Sequence, residues 1–234
     1  MYEDGERAEA YAKLEFPGTY YLAFRDLPGI LSEHVKGKRA MDFGCGTGRS
    51  TRFLKGQGFD TIGVDISEDM VSKARELDPD GEYVRIADGD FSNVQTKQFD
   101  LILCAFPFDN IPGPEHRANL LKGLGGLLSP EGRVVILGST PDMYTNEWLS
   151  FSTKDFPENL IARSGDKVGI IQLDTEDRRP VIDILWHPED YDLLFKDAGL
   201  DLITSYHPLA NDDEPWAWVN EARIAPWVIY LLKK

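Results

Sequence analysis

The sequence predicts an α/β protein with a doubly wound, largely parallel sheet, and three observations say so. Apolar strand-like runs alternate with helical stretches over roughly the first 140 of 234 residues, as a parallel sheet covered on both faces requires. Gly44, Gly46 and Gly48 fall at alternate positions between the first of those strands and the helix-like run of residues 50–55. The second strand ends in an acid, Asp65, which lies 23 residues after Asp42, about one βαβ repeat. A glycine turn between a strand and a helix is where such a sheet binds a nucleotide-like molecule, at the carboxyl ends of its strands.

Taken in order, residues 7–33 carry apolar positions at mixed spacing, Tyr11, Tyr20 and Tyr21 among them, with breaks at Pro17-Gly18 and Pro28-Gly29. Two or three short helices ahead of the first strand are expected. The lead-in Arg39-Ala40-Met41 ends at Asp42, and the turn Phe43-Gly44-Cys45-Gly46-Thr47-Gly48 follows. A second buried strand, residues 59–65, runs into Ile66 and Ser67. Ser67 reads as a helix N-cap, with Glu68 and Asp69 in the first turn and Met70, Val71 and Ala74 on the apolar face. A third strand over residues 82–87 ends in Asp88-Gly89-Asp90, and a fourth over residues 99–105 runs into Phe106-Pro107-Phe108-Asp109-Asn110. Residues 114–128 have leucines at helical spacing, weakened by Gly123, Gly125 and Gly126. A fifth strand, residues 132–138, follows a turn in which Gly132 is expected to take positive φ.

The glycine spacing narrows the ligand. A dinucleotide fingerprint needs glycine where Arg49 stands, and the Gly-Lys-Ser/Thr of a phosphate loop is absent. What remains, Asp42-Phe43-Gly44-Cys45-Gly46-Thr47-Gly48, resembles the first motif of the class I S-adenosylmethionine-dependent methyltransferases. The resemblance covers residues 39–138 by motif and 187–234 by element order. It implies a Rossmann-like, seven-stranded sheet whose last strand is antiparallel, S-adenosyl-L-methionine as cofactor, and in-line methyl transfer from the sulfonium to O, N, C or S.

It also implies a cofactor site. Asp42, Gly44, Cys45 and Gly46 supply the turn, Asp65 accepts from the ribose hydroxyls, and Ile66 with Met70 packs on adenine. Asp88 at the third strand's end, or else Asp90, receives the adenine amino group beside Gly89. Cys104, Ala105 and Phe106 lie next to the methyl group. In many small-molecule members an N-terminal segment like residues 1–36 folds over the cofactor as a lid. Tyr11 and Tyr20 are candidates within it, because a phenol can satisfy a carboxylate while its ring excludes water.

Residues 139–186 are too many for an ordinary connection. They read as a helical stretch and an antiparallel pair, inserted as a cap after the fifth strand of a single domain spanning residues 1–234. Such insertions build substrate pockets or dimerisation arms, and a homodimer through the cap is one expectation. Phe106, Phe108, Tyr144, Trp148 and Phe151 are the expected pocket residues. Asp109, His116, Glu147 and His187 are the candidate bases, needed only if the nucleophile arrives protonated. Beyond the cap come a helix from Pro188 to Ala198, stopped by Gly199, a strand over residues 200–206, and a last strand near residues 227–231.

Composition limits the function. Forty Asp and Glu against 25 Lys and Arg give a net charge of −15, which disfavours nucleic acid and anionic lipid as partners. No apolar run approaches the ~20 residues of a membrane span. Cys45 and Cys104 are the only cysteines, too few for a disulfide framework and without metal-ligand spacing, so no metal is expected and a reducing cytoplasm is. The expected activity is methylation of a small molecule on oxygen or nitrogen. A non-catalytic S-adenosylmethionine-binding regulator, a methyltransferase acting on a macromolecule, and aminopropyl transfer on the same fold stay open at this point.

Overall fold

The computed structural model describes Glu9, Lys13, residues 16–94 and residues 98–234. Ahead of the sheet, α1 (Thr19–Arg25) and α2 (Leu27–His34) meet at Asp26, which closes one helix and opens the other. Pro28 lies in the first turn of α2, where its missing N–H is no loss. The break therefore falls at Asp26 and not at Pro28-Gly29.

The core then alternates as expected through β1 (Arg39–Phe43), α3 (Arg49–Gly56), β2 (Asp60–Asp65), α4 (Glu68–Leu77), β3 (Glu82–Arg85), β4 (Phe99–Ala105), α5 (Pro114–Leu127) and β5 (Leu128–Ser139). Ser67 caps α4 by accepting from the Met70 N–H at 3.3 Å. The insertion holds β6 (Phe151–Ser152), β7 (Lys167–Gln172) and β8 (Val181–Ile184), and α6 (Pro188–Ala198), β9 (Asp201–Tyr206) and β10 (Trp227–Lys233) complete the chain. The main sheet has seven strands in the order β3-β2-β1-β4-β5-β10-β9, parallel except for β10, which runs antiparallel to both neighbours. Strand order reverses between β1 and β4, so the crevice that binds ligands in open α/β sheets lies over their carboxyl ends.

Alternation along the strands sends side chains to two cores. Ile102, Val134 and Ile136 join α5 and α6 on one face, while Leu101, Leu103, Val135 and Leu137 join α1, α2 and the cap on the other. The cap's Met143, Tyr144, Trp148 and Phe151 belong to that second core, so the insertion is part of the fold's interior.

Two local expectations are corrected. Gly132 does not take positive φ; it lies within β5, where a Cβ would stand 2.6 Å from the Phe99 carbonyl oxygen. The helical stretch of the cap is two 3₁₀ turns, Pro141–Tyr144 and Pro157–Ile161, and the antiparallel pair gains β6 as a third strand. Prolines open both turns, and the intervening Phe151-Ser152 pairs with Gln172 and Ile171 instead of continuing a helix.

Candidate active site

The turn after β1 is pinned from below and open above. The N–H groups of Gly44 and Cys45 both donate to the Val64 carbonyl, at 2.8 and 3.0 Å, which fixes the turn to β2. A Cβ on Gly48 (φ 82°) would meet the Tyr83 hydroxyl at 2.6 Å, so this glycine permits helix–strand packing. Gly46 (φ 52°) differs: a Cβ there would meet nothing within 4 Å. Its outer face is a cradle on which a ligand can rest against backbone.

Asp65 closes the turn by accepting from the Gly46 N–H (Oδ2, 2.9 Å) and the Ser67 N–H (Oδ1, 2.9 Å). Burial raises its proton affinity and these backbone donors oppose the rise. Asp42 faces away from the turn's open side. Its Oδ2 accepts from the Ser50 and Thr51 hydroxyls, both at 2.6 Å, which ties β1 to α3. Complete burial pushes its carboxyl up to about 6 from 3.8. The folded state thus binds a proton more tightly than the unfolded chain, and this contribution to stability is full below pH 3.8 and lost as pH rises through 6. Asp42→Asn should remove that loss. The variant's melting temperature is expected to gain on the wild type's between about pH 4 and 6; a constant difference would show Asp42 to be unshifted.

A cavity of about 430 Å³ begins at this turn. Its first part is lined by Gly44, Gly46, Asp65, Ile66, Met70, Ile86 and Asp88, from β2, α4 and the turns after β1, β2 and β3. Ile66 stands 58% exposed, an isolated apolar side chain at the rim. Its second part is walled by Tyr20, Phe106, Phe151, Ile170, Val181 and Trp227, from α1, the end of β4, the cap and β10. Phe106 has φ 70°, a conformation that costs a bulky residue strain, and its N–H is held by the Leu137 carbonyl at 3.0 Å. Its ring lies 4.9 Å from that of Trp227 and 5.9 Å from that of Tyr20. The Arg49 guanidinium, also lining the cavity, stacks over Tyr20 at 4.5 Å.

Two buried carboxylates face the second part. Asp109, in the 3₁₀ turn Pro107–Asp109, accepts at Oδ2 from the Ser139 N–H (3.0 Å) and hydroxyl (2.8 Å). Asp183 on β8 accepts at Oδ2 from the Tyr144 hydroxyl at 3.1 Å. Burial raises the proton affinity of both, and the negative charge of Asp109 raises that of Asp183 further. Arg117, buried among Phe108, Trp186 and Tyr191, offsets part of the charge of Asp109.

Residues 40–132 match the model of the methyltransferase domain family. Residues 40–132 carry a methyltransferase domain. An "uncharacterized methyltransferase" of Alkaliphilus oremlandii is 31% identical over 52% of this chain and 56% of its own length. A ubiquinone biosynthesis O-methyltransferase of Methylococcus capsulatus is 31% identical over 43% of each chain. The chain spans about half the length of the curated relatives it matches. Among solved structures, the CcbJ methyltransferase from Streptomyces caelestis shares the fold across 99% of this chain and 97% of that one, with a TM-score of 0.68 at 17% identity.

The structure brings together Tyr20, Gly44, Cys45, Gly46, Asp65, Ile66, Met70, Asp88, Ala105, Phe106, Asp109 and Phe151 around one cavity. Tyr11 lies outside the described residues. Asp42, Gly89, Asp90 and Cys104 do not line the cavity: Asp42 holds α3, Asp90 accepts from the Ser92 N–H, and Cys104 is in the core. Among the expected pocket aromatics, Phe108 packs into the first core, and Tyr144 and Trp148 pack into the second, the indole donating to the Met143 carbonyl at 2.9 Å. The 3₁₀ turn explains the first of these, since it sends Phe108 inward and leaves Phe106 and Asp109 on the cavity. Three of the candidate bases are elsewhere. His116 pairs with Asp88 at 3.1 Å outside the lining, Glu147 clasps Ser152 and Thr153, and His187 caps α6. Arg49, Ser139, Asp183 and Trp227 line the cavity without having been singled out. Asp183 did carry a signal, a lone acid at a period-2 position among Val181, Ile182 and Ile184.

Proposed function

We propose that this protein is a methyltransferase that uses S-adenosyl-L-methionine to methylate a small molecule on oxygen or nitrogen. The observation that carries this reading is one cavity lined both by the Gly46 turn and by the aromatic side chains of Tyr20, Phe106, Phe151 and Trp227. The residues fit the cofactor. The Gly46 cradle admits its backbone-hugging part, the Asp65 carboxylate keeps acceptor capacity for ribose hydroxyls, and Ile66 and Met70 offer apolar faces to adenine with Asp88 beside them. Arg49, over Tyr20, suits the amino-acid carboxylate.

Held there by the Gly46 turn, Asp65, Ile66 and Met70, S-adenosylmethionine would supply an electrophilic methyl group to the acceptor's lone pair. The chain's own contribution is chiefly positioning: Phe106, Phe151 and Trp227 hold the acceptor and exclude water, and an acceptor ~3 Å from the methyl carbon gains most of the rate. A cavity of about 430 Å³ walled by aromatic side chains suits a small molecule, and the net charge of −15 favours a neutral or cationic one. A screen of cell metabolites with a radiolabelled methyl donor is expected to place label on small molecules. Label found only on RNA or protein would replace the substrate class.

A further inference from the structure

Four carboxylates, Asp65, Asp88, Asp109 and Asp183, line the cavity against one cation, Arg49, among the described residues. Asp65 and Asp88 stand in the first part, at the glycine turn and the end of β3. Asp109 and Asp183 are different: they are 4% and 5% exposed, and they come from separate elements, the end of β4 and the cap. Asp183 lines the cavity; its Oδ2 accepts from Tyr144, and no hydrogen bond from a described residue reaches its Oδ1. A carboxylate on so buried a side chain is costly without a compensating donor or charge. Arg117 acts on Asp109 from behind, through Tyr191 and Phe108, and leaves Asp183 without a counter-charge.

We infer that the acceptor is a primary or secondary amine with an apolar substituent, held as its ammonium between Asp183 and Asp109, and that Asp183 takes its proton. The inference rests on the methyltransferase reading above and names that site's substrate class. An ammonium brings both the missing donors and the missing charge. Phe106, Phe151 and Trp227 present ring surface to the cation and its substituent. Before methylation the nitrogen needs its lone pair. One N–H bond breaks, an O–H bond forms on Asp183, and an ammonium–carboxylate pair becomes an amine and a carboxylic acid with no net change in charge. Burial favours that neutral pair, and it also raises the proton affinity of Asp183, narrowing its gap to the amine. An alcohol acceptor would leave the second carboxylate uncompensated.

The test compares isosteres. The protein is saturated with S-adenosylhomocysteine, whose own affinity is recorded first, and titrated with benzylamine and benzyl alcohol, then with phenethylamine and 2-phenylethanol. The amines are expected to bind tighter by about tenfold or more, the scale of a charge-assisted hydrogen bond. In Asp183→Asn the amine preference should disappear while S-adenosylhomocysteine affinity stays within about twofold, which also shows that the variant is folded; if it does not fold, Asp109→Asn takes its place. Amine and alcohol binding alike, or neither binding, overturns the inference and leaves the methyltransferase reading intact. Failure of S-adenosylhomocysteine to bind would instead sink that reading. The isosteres are then compared on the protein alone, where the same preference is expected because both acids belong to the chain.

Discussion

Replacing Asp65 by alanine should weaken S-adenosylmethionine binding by about 1–3 kcal/mol, the loss expected for a charge-assisted hydrogen bond. The carboxylate already accepts from Gly46 and Ser67, so the substitution removes both a ribose acceptor and a tie across the turn. Calorimetry with S-adenosylmethionine separates the two. Asp65→Asn retains one acceptor oxygen and should recover part of the affinity, whereas Asp65→Ala should recover none. Equal affinity in wild type and Asp65→Ala would remove Asp65 from the site. A comparison of Asp88→Asn with Asp90→Asn places the adenine contact. Only Asp88 lines the cavity, so the first should hurt more, and the reverse order would transfer the contact to Asp90.

Glu221→Ala should cost about 3–5 kcal/mol of stability, read as a lower urea midpoint. The side chain is fully buried and accepts four hydrogen bonds: from the Thr19 hydroxyl at 2.8 Å, and from the N–H groups of Leu149 at 2.7 Å, Val219 at 2.8 Å and Asn220 at 3.0 Å. Each buried donor left without an acceptor costs ~1–3 kcal/mol, with partial relief where water enters. Thr19 and Ser150 are joined to each other as well, through N–H to hydroxyl bonds in both directions at 2.9 and 3.0 Å. Glu221→Gln keeps one acceptor oxygen and should lose less. An unchanged midpoint in Glu221→Ala would show that these ties make no net contribution. They also mean that excising residues 139–186 should unfold the protein, because the cap shares the second core with α1 and β10.

Much of the site was legible because it depends on local chemistry. A glycine turn after a strand, an acid one βαβ repeat later and a serine cap before α4 are each specified by a few adjacent residues. The sheet order followed from the family resemblance, since element order alone does not say where β10 inserts. What was illegible depends on direction. Phe106, Phe108 and Asp109 are neighbours in sequence, yet a 3₁₀ turn points the outer two at the cavity and the middle one into the core. Tyr144 and Trp148 look like pocket residues until the Pro141–Tyr144 turn folds them inward. Asp183 stood out in sequence as a lone acid among apolar residues, but which way it points is set by the pairing of β8, with Val168 opposite Asp183 and Ile170 opposite Val181. Glu221 lies in a stretch without regular periodicity, and all but its nearest partners are distant in sequence.

The tie between Thr19 and Glu221 spans 202 positions, and that separation has a consequence for the order of events during synthesis. On the ribosome, chain elements become available from the amino end onward. The glycine turn, Asp65 and β4 can assemble once the first five strands have emerged. The far wall cannot, because Trp227 enters with β10, which must insert between β5 and β9 rather than add to an edge. A nascent chain stalled before residue 221 would therefore present the glycine turn and Asp65 without Trp227, and the aromatic wall of the cavity would be completed only when β10 inserts.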